Sequence, residues 1–205
     1  MKVKLAKTVA DFEHNVNDFA TKSNILLVTG LSGSGKSYLS RQLAEKYNAV
    51  IFQPEWLKHT KHITDECRHI LDSFFELHPD IVTLAKNKWN NAKSEDDNEL
   101  FKKYINLFFL HFLQVKNPNK LYIVEGLQLF TLIEYNNIKD YPIIIKGTSS
   151  FKSLRNRLKR DYQKRKNEKL CVKIKFFFRV LKESKLYQFK HRKKLNKFIN
   201  NYTTN

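Results

Sequence analysis

The sequence is poor in cysteine, glycine and proline, and it has no long hydrophobic run. Its 205 residues include two Cys, five Gly and four Pro, which excludes disulfide-rich, collagen-like and low-complexity proteins. The longest apolar stretch, residues 105–115, is interrupted by Asn106 and His111 and is too short to span a bilayer. Residues 1–22 are polar and include acids, unlike a secretory signal peptide. We therefore expect a cytoplasmic protein with free cysteines.

Apolar residues are abundant enough for a packed core. Hydrophobic residues make up 41% of the chain and aromatic residues 13%, which is too much for a disordered protein. A chain of this length buries most of the surface that it exposes when unfolded, and it leaves little room for a second large domain. We therefore expect a single domain over residues 1–205.

Positive charge is concentrated in the last quarter of the chain. The whole protein carries a formal net charge of +18; residues 151–205 hold 19 basic and 3 acidic residues, a net charge of +16, whereas residues 1–150 hold 19 and 17, a net charge of +2. The last quarter is therefore expected to meet an anion or to form a solvated basic face. Candidate anions are nucleotide phosphates, nucleic acid and an acidic membrane surface.

Short apolar runs alternate with segments of helical periodicity. Continuous apolar runs are typical of strands that are buried on both faces of a sheet. Strands alternating with helices predict an α/β domain with a parallel sheet. The predicted strands are 25–29, 50–52, 121–124 and 143–145. The predicted helices are 1–23, 38–47, 64–77 with Thr64 as N-cap, 81–89, 99–115 and the basic region from residue 151, with a polar loop at 90–98.

Residues 30–37 carry the strongest motif. They read Gly-Leu-Ser-Gly-Ser-Gly-Lys-Ser and match G-x-x-x-x-G-K-[ST] between a predicted strand and a predicted helix, the context that a phosphate-binding loop requires. Glycines let successive backbone N–H groups point into one concavity, and the helix N-terminus adds partial positive charge. In such a loop the Lys reaches the β- and γ-phosphates and the final Ser ligates Mg²⁺. The expected nucleotide-binding residues are Gly30, Leu31, Ser32, Gly33, Ser34, Gly35, Lys36, Ser37 and Tyr38.

A carboxylate stands at the end of the third predicted strand. Residues 121–127 read Leu-Tyr-Ile-Val-Glu-Gly-Leu, so that Glu125 follows the apolar run directly. Because the carboxyl ends of parallel strands meet at one edge of a sheet, we expect Glu125 close to the phosphate-binding loop. There Ser37 and Glu125 would hold Mg²⁺. A surface glutamate at the end of a strand is the alternative.

These segments resemble the small P-loop kinases, especially the uridine kinase, type I pantothenate kinase and phosphoribulokinase group. In that group a hydrophobic strand ends in Glu-Gly, as residues 124–127 do here. The resemblance implies an α/β, three-layer P-loop NTPase fold with a parallel sheet, ATP and Mg²⁺. It further implies a nucleotide-binding core at 24–53 and 120–150, a helical acceptor-binding insertion at 54–119, and an arginine-bearing lid helix with further basic helices at 151–205.

The lid follows from the same resemblance. Uridine kinases cover the phosphates with an arginine-rich helix, and Arg157, Arg160 and Arg165 match its pattern here, although its final Gly-Arg is replaced by Lys-Asn at 166–167. Arg157 and Arg160 are three residues apart and so share a helix face. Arginine binds phosphate bidentately and stabilises charge that develops during phosphoryl transfer. We expect Arg157 and Arg160 to be catalytic and, with Arg165, to contact the nucleotide; a solvated basic face is the alternative.

Residues 52–57, Phe-Gln-Pro-Glu-Trp-Leu, follow the second predicted strand. Uridine kinase-like enzymes have an Asp here that acts as base toward the acceptor hydroxyl, and deoxynucleoside kinases have a Glu-Pro with a Trp soon after. Glu55 is the only carboxylate near this strand end, so we expect it to orient or deprotonate the acceptor hydroxyl. An acid that merely begins a helix is the alternative. The many aromatics of residues 58–115 could stack on a base, but their helical spacing is more typical of a core.

Together the motifs favour a kinase that transfers the γ-phosphoryl group of Mg-ATP to a hydroxyl of a small, nucleoside-like metabolite. Lys36, Glu55, Arg157 and Arg160 are its expected catalytic residues. A cell-wall sugar nucleotide remains open as acceptor. The rival class is a nucleic-acid-binding P-loop enzyme, such as a polynucleotide 5′-hydroxyl kinase or a repair or defence ATPase, in which the basic region tracks a nucleic-acid backbone. A membrane-surface helix is a third use of that region.

Overall fold

The computed structural model describes residues 24–57, 63–82, 95–147, 149–164 and 167–203. Its strands form one parallel sheet in the order β2-β3-β1-β4. The strands are β1 Ile25–Gly30, β2 Val50–Phe52, β3 Tyr122–Glu125 and β4 Ile143–Lys146. The helices are α1 Lys36–Tyr47, α2 Asp65–Leu77, α3 Glu95–Val115, α4 Gln128–Thr131, α5 Tyr135–Ile138, α6 Ser150–Lys164 and α7 Leu170–Thr203, with a 3₁₀ turn at Pro54–Leu57. The predicted α/β class with a parallel sheet is confirmed.

The apolar strands are buried because both faces of the sheet are covered. Side chains alternate between the faces along a strand, so Ile25 and Leu27 join one core cluster and Leu26 and Val28 the other. The first cluster includes residues of α2 and α3, and the second includes Leu39 and Leu43 of α1. Parallel strands with helices on both faces explain the continuous apolar runs of the sequence.

Helix α2 begins where its sequence predicts. The Thr64 side chain accepts a hydrogen bond from the Cys67 N–H at 3.4 Å, and Asp65 and Glu66 occupy the first turn. A hydroxyl cap satisfies a backbone N–H that has no partner within the helix, and acids in the first turn interact favourably with the helix dipole. The helix buries Cys67, Ile70, Leu71 and Phe74.

Some element boundaries differ from the prediction. Helix α3 begins at Glu95, so the predicted polar loop was wrong over residues 95–98. Those residues include three acids, which stabilise a helix start. Helices α4 and α5 were not predicted, because four residues each are too few for a visible period. The predicted helix at 1–23, and residues 83–89 of the one predicted at 81–89, lie outside the described residues.

Helix α7 is long, and its two ends have different surroundings. Near its end, Leu195 and Phe198 are buried, and the Phe198 ring lies 6.2 Å from that of Phe130 in α4. Near its start, Leu170 and Phe178 are exposed. Within the described part of the chain no helix is long and apolar enough to cross a membrane.

Candidate functional site

The carboxyl edge of the sheet gathers the residues singled out in the sequence. Residues 30–37 link β1 to α1, Glu125 ends β3, and Gln53 follows β2. After β1, the next two strands, β2 and β3, lie on one side of it, and β4 lies on its other side. The direction in which strands are added therefore reverses at β1. In open α/β sheets such a reversal leaves a crevice at the carboxyl ends of the strands, where ligands bind.

The loop at 30–37 is folded on itself by its glycines. Gly33 and Gly35 have φ angles of +81° and +89°, which residues with a Cβ rarely adopt. The Ser34 N–H donates to the Leu31 carbonyl at 3.1 Å, and Leu31 itself is buried. The Ser34 hydroxyl is also buried, with no hydrogen-bond partner in the part of the chain that the structure describes. A buried polar atom without a partner is unusual and fits a loop built around a ligand.

The start of α1 is open to an anion. Gly35 precedes the helix, no side chain caps its first turn, and that turn contains no acid. Among the described residues, none beyond the chain neighbours of Gly35 lies within 4 Å of the position that a Cβ there would occupy. A helix N-terminus whose first N–H groups are uncapped attracts phosphate. Tyr38, in the first turn, is 64% exposed.

Ser37 and Glu125 are in direct contact, as expected from the strand ends. The Ser37 hydroxyl donates to Glu125 Oε1 at 2.7 Å, and the Gln53 amide donates to Oε2 at 2.9 Å. Glu125 is only 4% exposed, so these two donors take the place of water at its carboxylate oxygens. Among the described residues no group of three or more His, Cys, Asp or Glu could hold a metal. A site with two protein oxygens suits Mg²⁺, which commonly takes its other ligands from water and phosphate.

Lys36 lies within the electrostatic reach of three other predicted site residues. Burial of its ammonium group lowers the pKa of Lys36 below the ordinary value of 10.5, while the carboxylates of Glu125 and Glu55 raise it and the charge of Arg160 lowers it further. A partly desolvated cation beside a second cation gains most from an anion placed between them. Glu55, Glu125 and Arg160 therefore lie close enough to Lys36 for their charges to act on its ammonium group.

Glu55 lies in the 3₁₀ turn after β2 and is exposed. The Gln128 amide of α4 donates to Glu55 Oε2 at 3.3 Å. Gln128 follows Glu125 by three residues, so the same strand end positions the carboxylate of Glu125 and the partner of Glu55. This contact holds Glu55 next to the start of α4, within reach of the Lys36 charge.

Helix α6 packs on the glycine-rich loop. The Ser153 hydroxyl donates to the Ser32 carbonyl, and the Asn156 amide donates to the Gly33 carbonyl at 3.1 Å. A Cβ on Gly33 would meet the Ser153 carbonyl, so only glycine permits this approach. The contacts hold α6, and with it Arg160, over the loop. The Arg157 side chain and Arg165 lie outside the described residues.

A cavity of about 520 Å³ opens beside Glu125. Its volume is in the range of small-molecule sites. It lies between α1, the β2 edge and the start of α2, and so extends from Ser37, at the end of the glycine-rich loop, to the segment predicted to hold an acceptor. Its wall includes Ser37, Arg41, Gln53, Trp56, Glu66 and Glu125.

Four side chains of the site were not assigned a role from the sequence. No role was predicted for Gln53, Gln128, Ser153 or Asn156, although all four make hydrogen bonds at the site. Gln53 could have been found, because it follows β2 at the edge where the other site residues meet. The other three act through contacts between segments distant in sequence, which no spacing reveals. No protein-family model and no curated protein matches the chain.

Proposed function

We propose that this protein is a P-loop kinase, an ATP-dependent phosphotransferase that acts on a hydroxyl of a small, nucleoside-like molecule. The observation that carries the proposal is the convergence of Lys36, Glu55, Glu125 and Arg160 around the loop at 30–37. A glycine-rich turn alone would not require two carboxylates and an arginine beside its lysine. Phosphoryl transfer requires such groups, because charge on the phosphoryl oxygens must be balanced while an acceptor hydroxyl is positioned.

The donor phosphates fit the loop and the start of α1. Backbone N–H groups of the loop and of the α1 first turn would donate to the β- and γ-phosphates. Lys36 would pair with the same oxygens, and the phosphate charge would favour its protonated form against burial. The orphaned Ser34 hydroxyl would gain an acceptor.

Ser37 and Glu125 are the residues that would hold Mg²⁺. Both supply oxygen, the donor that this ion prefers, and they already touch through a hydrogen bond. Bound there, Mg²⁺ would neutralise charge on the phosphates. Gln53 keeps the second Glu125 oxygen in place, so the carboxylate stays oriented toward Ser37.

Glu55 and Arg160 would act on the two sides of the transferring group. Glu55 would accept the proton of the acceptor hydroxyl. The hydroxyl oxygen would attack the γ-phosphorus as the bond between that phosphorus and the leaving ADP breaks. Arg160 would donate to the equatorial oxygens, where charge accumulates. The α6 contacts with Ser32 and Gly33 fix the distance between this arginine and the loop.

The cavity beside Glu125 supports a small acceptor. Its wall includes the polar side chains of Arg41 and Glu66 together with Trp56, which is almost fully buried. An acceptor of nucleoside size would bind against this wall while its hydroxyl lay toward the loop. A long nucleic-acid strand does not need a cavity of this kind.

The proposal is tested by ADP release in a screen of acceptors. Protein and Mg-ATP are incubated with nucleosides, pantothenate, sugars and 5′-hydroxyl oligonucleotides, each at low and high salt. We expect one small-molecule class to stimulate ADP release at both salt concentrations, because a compact acceptor makes few screened contacts. Stimulation by oligonucleotides alone, lost at high salt, would instead identify a nucleic-acid enzyme, since phosphate contacts weaken steeply with salt.

A further inference from the structure

The first part of α7 presents an apolar stripe that the protein does not bury. Its members recur at helical spacing along residues 170–181, and they lie outside both core clusters. Leu170 is 72% exposed, Phe178 64% and Ile174 49%. The rings of Phe177 and Phe178 contact each other edge to face at 5.8 Å. We call this surface the α7 stripe; it consists of Leu170, Ile174, Phe177, Phe178 and Leu181.

Exposure of so many large apolar side chains on one helix face requires an explanation. Single exposed apolar residues are normal on soluble proteins, but contiguous patches mark interaction sites. The other end of α7 is already fixed to the core by Leu195 and Phe198. The stripe is therefore not needed to hold the helix in place.

The charge around the α7 stripe identifies the kind of partner. Residues 169–182 contain five basic residues and no acidic one, and Lys169 and Lys175 are exposed. The whole segment 151–205 has a net charge of +16. A complementary surface must therefore be anionic, and it must also accept aliphatic and phenyl side chains into an apolar phase.

We propose that the α7 stripe binds the surface of an anionic lipid bilayer. A helix with bulky apolar residues on one face and basic residues beside them lies in the interface, with its apolar face among the acyl chains and its basic groups at the headgroups. Each lysine or arginine near an anionic surface adds to the attraction. The two requirements, negative charge and an apolar interior, are met together by such a membrane.

Other partners satisfy only one requirement. A second copy of this chain would cover the stripe, but it would bring an equal positive charge to the contact. Nucleic acid would satisfy the charge, and Phe177 or Phe178 could stack on bases. It would leave Leu170 and Ile174 without an apolar environment, because protein–nucleic-acid contacts are polar and wet.

The test is a flotation assay of the full chain with vesicles. Neutral vesicles contain phosphatidylcholine, and in anionic vesicles phosphatidylserine replaces about one third of it. We expect binding to the anionic vesicles only, and a loss of apparent affinity of at least about tenfold in the double variant Phe177→Ser, Phe178→Ser, because two buried rings are removed from the acyl region. Lys175→Ala should lose about fivefold.

The matched control is Leu77→Ser, since Leu77 is a 66% exposed apolar residue on α2, away from the stripe. It should bind anionic vesicles like the unaltered protein. Because the substitutions in all three variants are at exposed positions, the circular dichroism spectra of the variants should match that of the unaltered protein. Equal binding to neutral vesicles, undiminished binding of the phenylalanine double variant, or absence of vesicle binding would overturn the proposal. In the last case, stripe-dependent dimerisation or oligonucleotide binding would identify the partner instead.

Discussion

Lys36 is the residue whose surroundings say most about the site. Its pKa is lowered by burial and by Arg160, and raised by Glu125 and Glu55. Burial removes solvation from the ammonium group of Lys36, and the nearby charge of Arg160 adds to that cost. At the scale of single residues, an anion close to both cations would offset this cost, as the proposed nucleotide site requires.

At Glu55, loss of the carboxylate should separate catalysis from binding. The Glu55→Gln variant keeps the size of the side chain, but an amide cannot accept a proton. We expect turnover to fall at least about a hundredfold, the usual contribution of a general base. The dissociation constant of Mg-ATP should change little, because the role proposed for Glu55 is toward the acceptor. Steady-state kinetics and calorimetric titration measure the two quantities.

Glu45→Gln provides the control for that experiment. Glu45 is an exposed acid on α1, outside the site, and its substitution removes the same charge. Its turnover should equal that of the unaltered protein. If Glu55→Gln also retained full turnover, Glu55 would be excluded as the base and its contact with Gln128 would be structural.

Among the elements, α6 has the clearest part in the site. It is attached to the loop by hydrogen bonds from the Ser153 and Asn156 side chains. Hydrogen bonds to loop carbonyls fix orientation and register with little buried area, and can be exchanged for water when the helix moves. An element joined in this way suits a lid that must open to release product.

Removal of one α6 arginine should slow transfer. In Arg160→Ala the charge that acts on Lys36 is lost, and we expect turnover to fall about a hundredfold, as for one donor to a charged transition state. Arg155→Ala is the matched control, since Arg155 is exposed on the same helix but five residues away. The turnover of Arg155→Ala should equal that of the unaltered protein. Equal rates in all three proteins would reduce α6 to a basic surface helix.

For the molecule as a whole, the docking of α7 should make stability depend on pH. Burial, with the charges of Lys194 and Lys190, lowers the pKa of His191 from 6.5 to about 4 in the folded protein. Between these values the unfolded chain binds more protons than the folded one, so stability falls as pH is lowered through this window. We expect urea-unfolding midpoints to decrease from about pH 6.5 toward pH 4.

His191→Gln should flatten this part of the profile, because glutamine does not titrate. His69→Gln is the control: His69 is exposed on α2, and its substitution should leave the pH dependence as it was. If the unfolding midpoint changed with pH equally steeply in both variants, His191 would not couple protonation to the packing of α7 against Phe130.

The sequence predicts the sheet and the loop, because both depend on local patterns. Apolar runs identify the strands, and the end of β3 predicts the contact of Glu125 with Ser37 that is observed. The start of α3 could not be predicted, because acids in a first turn resemble a polar loop. The contacts of Asn156 and Gln128 could not be predicted either, because they join segments that only the tertiary fold brings together. The roles of all these residues in phosphoryl transfer stay predictions.

The most direct test of the central claim is calorimetric titration of the protein with ATP in the presence and absence of Mg²⁺. We predict saturable binding that Mg²⁺ strengthens, and its loss in Lys36→Ala, whose circular dichroism spectrum should be unchanged. Lys102→Ala, a change at a surface lysine of α3, should bind as before. Absence of binding by the unaltered protein, or equal binding by Lys36→Ala, would contradict the assignment of residues 30–37 as a nucleotide site.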